Sequence, residues 1–418
     1  MVLICEKLHL NRGAKRLLFL ALNALFIVVY SNHAMAQTFK SQMSIEPNRV
    51  ISGKTVTLTY NTSEGPLKGA KKVYALAYTF EDYRWKIADV IMEKGDSGKW
   101  YGQLHFPEQA SLIALKFQDS LLLDPLLADA GEHNVSSLRD SQNNVKPGCR
   151  IGFVMLMKPS YHLGIDGYFS KTYQEISQKW AELNYGVELQ ANPQEANKFF
   201  KAIKEITIGH YADSTAVQQH NALMDLANVL NSTEQKTEED LINLYELFLN
   251  DLHDNIRADS IEQILCENYP KNRIRRNKAL LHLCSLSGKE FYVAAENFRN
   301  EFPVREWRND SPKDGNDYFI FYNKLIAKLL DDKKISHIAE ILPEMDFETI
   351  YEQLYNNVML PAKYKGKNKK QKVIALMKES LNKKIGETVN FSGKLLSPMQ
   401  ALYLHTQQLE KINNFKTY

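Results

Sequence analysis

KTVTLTYN (Lys54–Asn61) and VYALAYTF (Val73–Phe80) decide the first half of the fold. In the first, β-branched and polar residues alternate with period two, as in a strand with one buried face. The second is rich in aromatic and branched side chains, which suit a pleated sheet. Working outward, Ile87–Met92, Trp100–Phe106 and Ser111–Phe117 continue the series, and Arg150–Met157 is expected as a last strand. Ile51-Ser52-Gly53, Glu64-Gly65-Pro66, Lys94-Gly95-Asp96-Ser97-Gly98 and Pro107 supply turns between them. Short strands so separated predict an immunoglobulin-like antiparallel β-sandwich over residues 37–158. Within it, residues 119–148 hold polar stretches with Asn and Ser and are expected to be a partly mobile loop insertion.

From about Lys158 the period changes. Tyr173, Ile176, Trp180 and Leu183 fall three or four apart in Phe169–Leu183, one apolar helical stripe. Helices are then expected at Pro193–Ile208, Ser214–Leu230, Glu238–Leu252, Ala258–Asn268, Ile274–Ser285, Lys289–Glu301, Tyr318–Leu330, Ile335–Leu342, Phe347–Val358, Lys372–Leu381 and Pro398–Ile412. Thr237 followed by Glu238, Glu239 and Asp240 is a helix start: a capping hydroxyl, then acids at the positive helix end. Short loops imply antiparallel helix pairs. Tyr269-Pro270 and Phe302-Pro303 each close a helix 33 residues apart, with Leu265 and Phe298 four residues before each aromatic. Ser287-Gly288, Ala294 and Ala295 lie between. This spacing predicts a tetratricopeptide-like helix-pair array over residues 159–418.

Residues 1–36 read as a cleavable secretory signal peptide. Lys7, Arg12, Lys15 and Arg16 precede an apolar run, Leu17–Tyr30, and the small-x-small pattern Ala34-Met35-Ala36 follows, so Gln37 is the expected new N-terminus. The apolar run is short for a transmembrane helix. The expected location is the periplasm or the exterior, with a soluble mature chain and no transmembrane segment. The whole chain carries a net charge of +3, and the four basic residues and Glu6 of the signal account for it, so the remainder is neutral. A balanced chain has no general attraction for nucleic acid.

Four cysteines occur, and Cys5 leaves with the signal. Cys266 and Cys284 fall on consecutive expected helices and could form a disulfide in an oxidising compartment; all three remaining cysteines could equally be buried hydrophobes. There is no Cys-x-x-Cys and no His-Glu-x-x-His, and the histidines are scattered, so no metal or cofactor is assigned. No Gly-x-Ser-x-Gly elbow is present, so no catalytic residue is named. Lys94–Lys99 has the glycines and lysine of a phosphate loop but lies between two strands, where a hairpin turn is expected. The lysines between Lys363 and Lys372 read as a solvated interhelical loop. Trp85 and Trp100 could stack on a sugar ring, although tryptophans on strands more often belong to the core.

Ser44-Ile45-Glu46-Pro47, Gly53–Tyr60, Trp100-Tyr101-Gly102 and Phe106-Pro107 together resemble the N-terminal region of exported thioredoxin-family (TlpA-like) proteins of Bacteroidetes. The resemblance implies a signal peptide, a β-sandwich and a long helical segment of tetratricopeptide character. In that family a thioredoxin-like domain with Cys-x-x-Cys follows. Cys149, Cys266 and Cys284 match no position of that motif, so the resemblance carries no redox chemistry to this sequence. The expected function is an exported, non-enzymatic scaffold that binds a protein partner of the cell envelope, with a redox protein as one such partner. Two other readings stand beside it: the non-catalytic portion of a thiol–disulfide oxidoreductase, and an envelope glycan-binding protein.

Overall fold

The computed structural model describes residues 42–157, 183–232, 235–307, 312–359, 367–387 and 396–414. The expected signal peptide, most of the expected helix at 169–183 and part of the lysine run lie outside them.

The two quoted stretches become β2 and β3. In chain order the strands are β1 (Met43–Glu46), β2 (Thr55–Asn61), β3 (Tyr74–Glu81), β4 (Arg84–Val90), β5 (Met92–Lys94), β6 (Lys99–His105), β7 (Ala110–Gln118), β8 (Ala128–Asp129) and β9 (Val135–Ser137). One antiparallel sheet has the order β1-β2-β6-β5. The other runs β4-β3-β7-β8, with β9 also on β7. The sheets pack face to face through Val56, Leu58, Tyr60, Leu104, Ile113, Leu115 and Phe117. Tyr60 stacks on Phe117 with ring centroids 4.2 Å apart.

The chain crosses between sheets at Ile91, from β4 to β5. Gly102 on β6 makes room for the crossing, because a Cβ there would lie 2.7 Å from Met92 Sδ and 2.8 Å from Val90 Cγ1. Burial follows the two sequence patterns. β2 alternates buried and partly exposed residues, whereas β3 and β7 are buried on both faces.

What buries the outer face of β3 and β7 is a helix, not a strand. Residues expected as the last strand form α1 (Cys149–Met157). A short, continuously apolar run such as IGFVMLM has no period that separates a strand from a buried helix. Gly152 lets α1 approach the sheet, since a Cβ there would lie 2.7 Å from Cγ and Cδ1 of Phe80. Residues 119–148 also do more than form a loop: they supply β8 and β9, and Asp129 and Leu138 are buried.

A helical stretch at 183–191 and a 3-10 turn, Pro193–Phe199, lead into the helical region. Its helices are α2 (Phe200–His210), α3 (Ala216–Asn231), α4 (Glu238–Glu246), α5 (Asn255–Asn268), α6 (Arg273–Ser285), α7 (Gly288–Glu301), α8 (Pro312–Asp331), α9 (Ile335–Ile341), α10 (Phe347–Gln353), α11 (Lys367–Lys383) and α12 (Pro398–Asn413). Thr215, Thr237 and Ser397 open α3, α4 and α12 with reciprocal capping boxes.

Neighbouring helices pack as pairs: α2 with α3, α4 with α5, α6 with α7, α8 with α9, and α10 with α11. First helices of successive pairs also touch, α6 with α8 and α8 with α10, and α10 touches the last helix, α12. The Tyr269 and Phe302 ends share one backbone geometry, φ −132° and ψ 75° against φ −122° and ψ 77°. Each N–H donates to the carbonyl four residues back, Leu265 or Phe298, at 2.8 Å. The spacing is not kept beyond them, because α6 begins at Arg273 and α8 at Pro312.

Sheet and helices share a core. Phe80, Tyr83 and Leu112 pack in one cluster with Cys149, Ile151, Phe199, Phe200 and helices α2 to α6. A second cluster runs from α6 to α12. The far end of the array also returns to the sheet, where the Met399 N–H donates to Asp89 Oδ2 on β4 at 2.8 Å. Residues 43–418 thus form one compact unit.

Candidate functional site

Three buried polar clusters hold the groups with the most chemical potential. The first lies where β2 meets β8. Asp129 is 3% exposed and accepts from Tyr60 Oη at 2.6 Å and Asn134 Nδ2 at 3.0 Å. His133 Nε2 lies 3.1 Å from Oδ1, the oxygen that also accepts from Asn134, with the imidazole partly in solvent. Burial alone would raise the Asp129 carboxyl, but bonds from His133, Tyr60 and Asn134 outweigh it and hold the group below its ordinary value. A carboxylate that orients an imidazole can support proton transfer. Here its oxygens are also engaged by Tyr60 and Asn134, so the cluster ties β2, β8 and the following turn together.

The second cluster joins sheet to helices. β3 and β4 are connected by two residues in left-handed conformation, Asp82 (φ 47°) and Tyr83 (φ 62°). Both signs suit a tight hairpin that follows strand twist. The turn aims Tyr83 away from the sheet, where its ring stacks on Phe199 at 5.0 Å. Its hydroxyl donates to Glu188 Oε1 at 3.2 Å. The same oxygen accepts from Gly148 N at 2.7 Å and Asn192 Nδ2 at 2.9 Å. Burial, then the Glu188 charge, push the Tyr83 hydroxyl well above its usual range, so it remains a donor. Lys198 reaches Asp82 in the same turn at 2.7 Å.

The third lies among the last helices. His405 on α12 is fully buried, its Nε2 lies 2.7 Å from Glu348 Oε1 on α10, and its ring stacks on Phe347 at 3.8 Å.

None of these centres on a residue singled out by the sequence. Trp100 is 6% exposed and sits between the sheets, so its faces are covered. Trp85 is half-buried and tilts against Phe80 at 5.1 Å. Cys149, Cys266 and Cys284 are free thiols, with Cys149 buried and the other two half-buried on α5 and α6; no bond joins Cys266 to Cys284 in this structure. Burial pushes the Cys149 thiol up to about 12, the opposite of an activated nucleophile. Lys94–Lys99 forms the β5–β6 turn, with Ser97 (φ 56°) and Gly98 (φ 78°) left-handed. Among the described residues, no group of three or more His, Cys, Asp or Glu is placed to hold a metal, and no helix is long and apolar enough to cross a membrane.

Little in the sequence marks the three clusters. Asp129 and His133 stand four apart in what reads as a loop, Glu188 is one of many helical acids, and His405 is a lone histidine in a helical stripe. Each acquires its partners only through tertiary packing.

No protein-family model, curated protein or solved structure matches this chain.

The surface offers a different kind of feature. Large apolar residues stand exposed along the array: Leu281 on α6 (66%), Ile320 on α8 (40%) and Leu402 on α12 (49%), and on second helices of pairs Ile256 on α5 (82%) and Val293 on α7 (60%).

Proposed function

We propose that this chain is an exported, non-enzymatic binding protein that presents its helix array to a protein partner of the cell envelope. The observation that carries this reading is the row α6, α8, α10 and α12, packed in succession and bearing Leu281, Ile320 and Leu402 in solvent. Stacked helix pairs create extended surfaces suited to protein partners. The buried ionisable clusters support it from the other side, because their polar atoms are largely engaged within the fold.

In this reading the face-to-face sheets are an immunoglobulin-like domain and the pairs a tetratricopeptide-like array, supported by the matching helix ends at Tyr269 and Phe302. Export rests on the pattern of residues 1–36, and N-terminal sequencing of protein from the producing cell should begin at Gln37. The resemblance to exported thioredoxin-family proteins makes a redox protein the first partner class to test.

The test is site-specific photocrosslinking in intact cells, with the crosslinker at Leu281, Ile320 or Leu402, and at Ile256 on α5 as reference. One discrete adduct from Leu281, Ile320 or Leu402, lost when Ile320→Asp is introduced, supports the reading. Equal adduct patterns from all four positions overturn it, as does thiol–disulfide turnover by the purified chain.

A further inference from the structure

The turn after α11 is fastened to α12 through one imidazole nitrogen. The Gly386 N–H points at His405 Nδ1 from 3.0 Å. A backbone N–H can only donate, so Nδ1 must be the bare nitrogen and Nε2 the one that carries hydrogen. Nε2 in turn faces Glu348 Oε1 at 2.7 Å. The geometry therefore fixes a single neutral tautomer, with both nitrogens in use. Among the described residues Glu348 Oε2 has no hydrogen-bond partner, and Oε1 is the oxygen that faces His405.

A proton added at Nδ1 would set two N–H groups against each other across the Gly386 contact. It would not repel α10, because a charged ring attracts Glu348 more strongly. Among their described side chains, the elements packed against α12 carry Glu348 and Glu352 on α10 with Asp346 as its N-cap, Lys369, Lys370, Lys372, Lys378, Glu379 and Lys383 on α11, Lys384 and Glu387 in the turn, and Arg84, Lys86 and Asp89 on β4. Of these, Glu348 touches the ring. Lys378 reaches Asn413 at 3.1 Å, Lys384 reaches the Pro343 carbonyl at 3.2 Å, and Asp89 holds Met399 N at 2.8 Å. Gly386 itself is half-exposed, with φ 80°, so water can replace the contact once it breaks.

We propose that His405 is an acid-sensitive latch: a proton taken up from solvent at Nδ1 releases the Gly386 turn, while Nε2 keeps α12 tied to Glu348. This goes beyond the binding reading and does not depend on it.

The test is hydrogen exchange of the 384–387 amides in the full chain at about pH 8 and about pH 5, with rates corrected for intrinsic pH dependence. Loss of one hydrogen bond predicts acceleration of about tenfold at the lower pH in this turn, and none in α7. In His405→Gln, whose amide can still donate to Glu348, the turn should exchange fast at both values. A wild-type turn equally protected at both pH values overturns the proposal, and so does a pH step that survives in His405→Gln. Nitrogen NMR of the wild-type ring decides the matter even where the variant fails to fold. Nδ1 should gain its proton over the pH range in which the Gly386 amide is released, and either event without the other refutes the latch.

Discussion

Replacing Glu188 tests whether the sheets and the helices are fastened to each other by chemistry or only by contact. Glu188 Oε1 receives Tyr83 Oη, Gly148 N and Asn192 Nδ2 at 3.2, 2.7 and 2.9 Å, and the residue is 3% exposed. Glu188→Ala strands the Tyr83 hydroxyl and the Gly148 amide inside the protein, at about 1–3 kcal/mol each. Asn192 is only part-buried and can turn to water. Glu188→Gln keeps an oxygen in place and should cost about 1 kcal/mol. The assay is urea unfolding followed by tryptophan fluorescence, with Tyr83→Phe and the double variant completing a cycle. The double variant should cost less than the sum of the two single changes, because the hydroxyl has already lost its acceptor. If Ala and Gln cost the same and under about 1 kcal/mol, the donors find water and the joint is apolar only.

Three further outcomes follow from the same structure. Asp129 has a depressed carboxyl in the fold, so it stabilises above the ordinary carboxylate pKa and that contribution is lost as pH falls through the folded value. Urea midpoints measured from neutral pH down into the carboxylate range should therefore fall less steeply for Asp129→Asn than for the wild type. Native iodoacetamide treatment at about pH 8, near an ordinary thiol pKa, should label Cys266 and Cys284 and spare Cys149 until urea is added, as peptide mass mapping will show. Gly152→Ala gains about 1 kcal/mol of helix propensity but forces a methyl against the Phe80 ring, at about 1–3 kcal/mol. A net loss is expected in thermal unfolding, relieved when Phe80→Leu is added.

The strands with a clear period were readable. KTVTLTYN alternates because one face meets the partner sheet and the other is partly in solvent, and its bounds shifted by one residue, to Thr55–Asn61. The helices were readable for the same reason: Gly288–Glu301 and Pro398–Asn413 lie within a residue of the expected spans. Periodicity failed where a segment is buried all round. IGFVMLM is apolar in every direction because it lies between the sheet and the helices, and only the three-dimensional need to cover β3 and β7 makes it a helix. The strands within 119–148 left no signal for another reason, since two-residue and three-residue strands such as β8 and β9 are too short to show a pattern. The polar clusters were the least legible. Tyr83 and Glu188 lie 105 residues apart, and Glu348 and His405 lie 57 apart, so neither pair leaves a local trace.

The return of α12 to β4 has a consequence for how this protein can change over evolutionary time. An open solenoid gains or loses a repeat freely, since a new unit needs only the neighbour it stacks on. Here both termini of the row answer to one hairpin, through Tyr83 and Asp82 at one side and Asp89 at the other. A duplicated pair would carry α12 past its seat, and a deleted pair would leave it short. The number of pairs is thereby coupled to the distance between Asp82 and Asp89 on one hairpin.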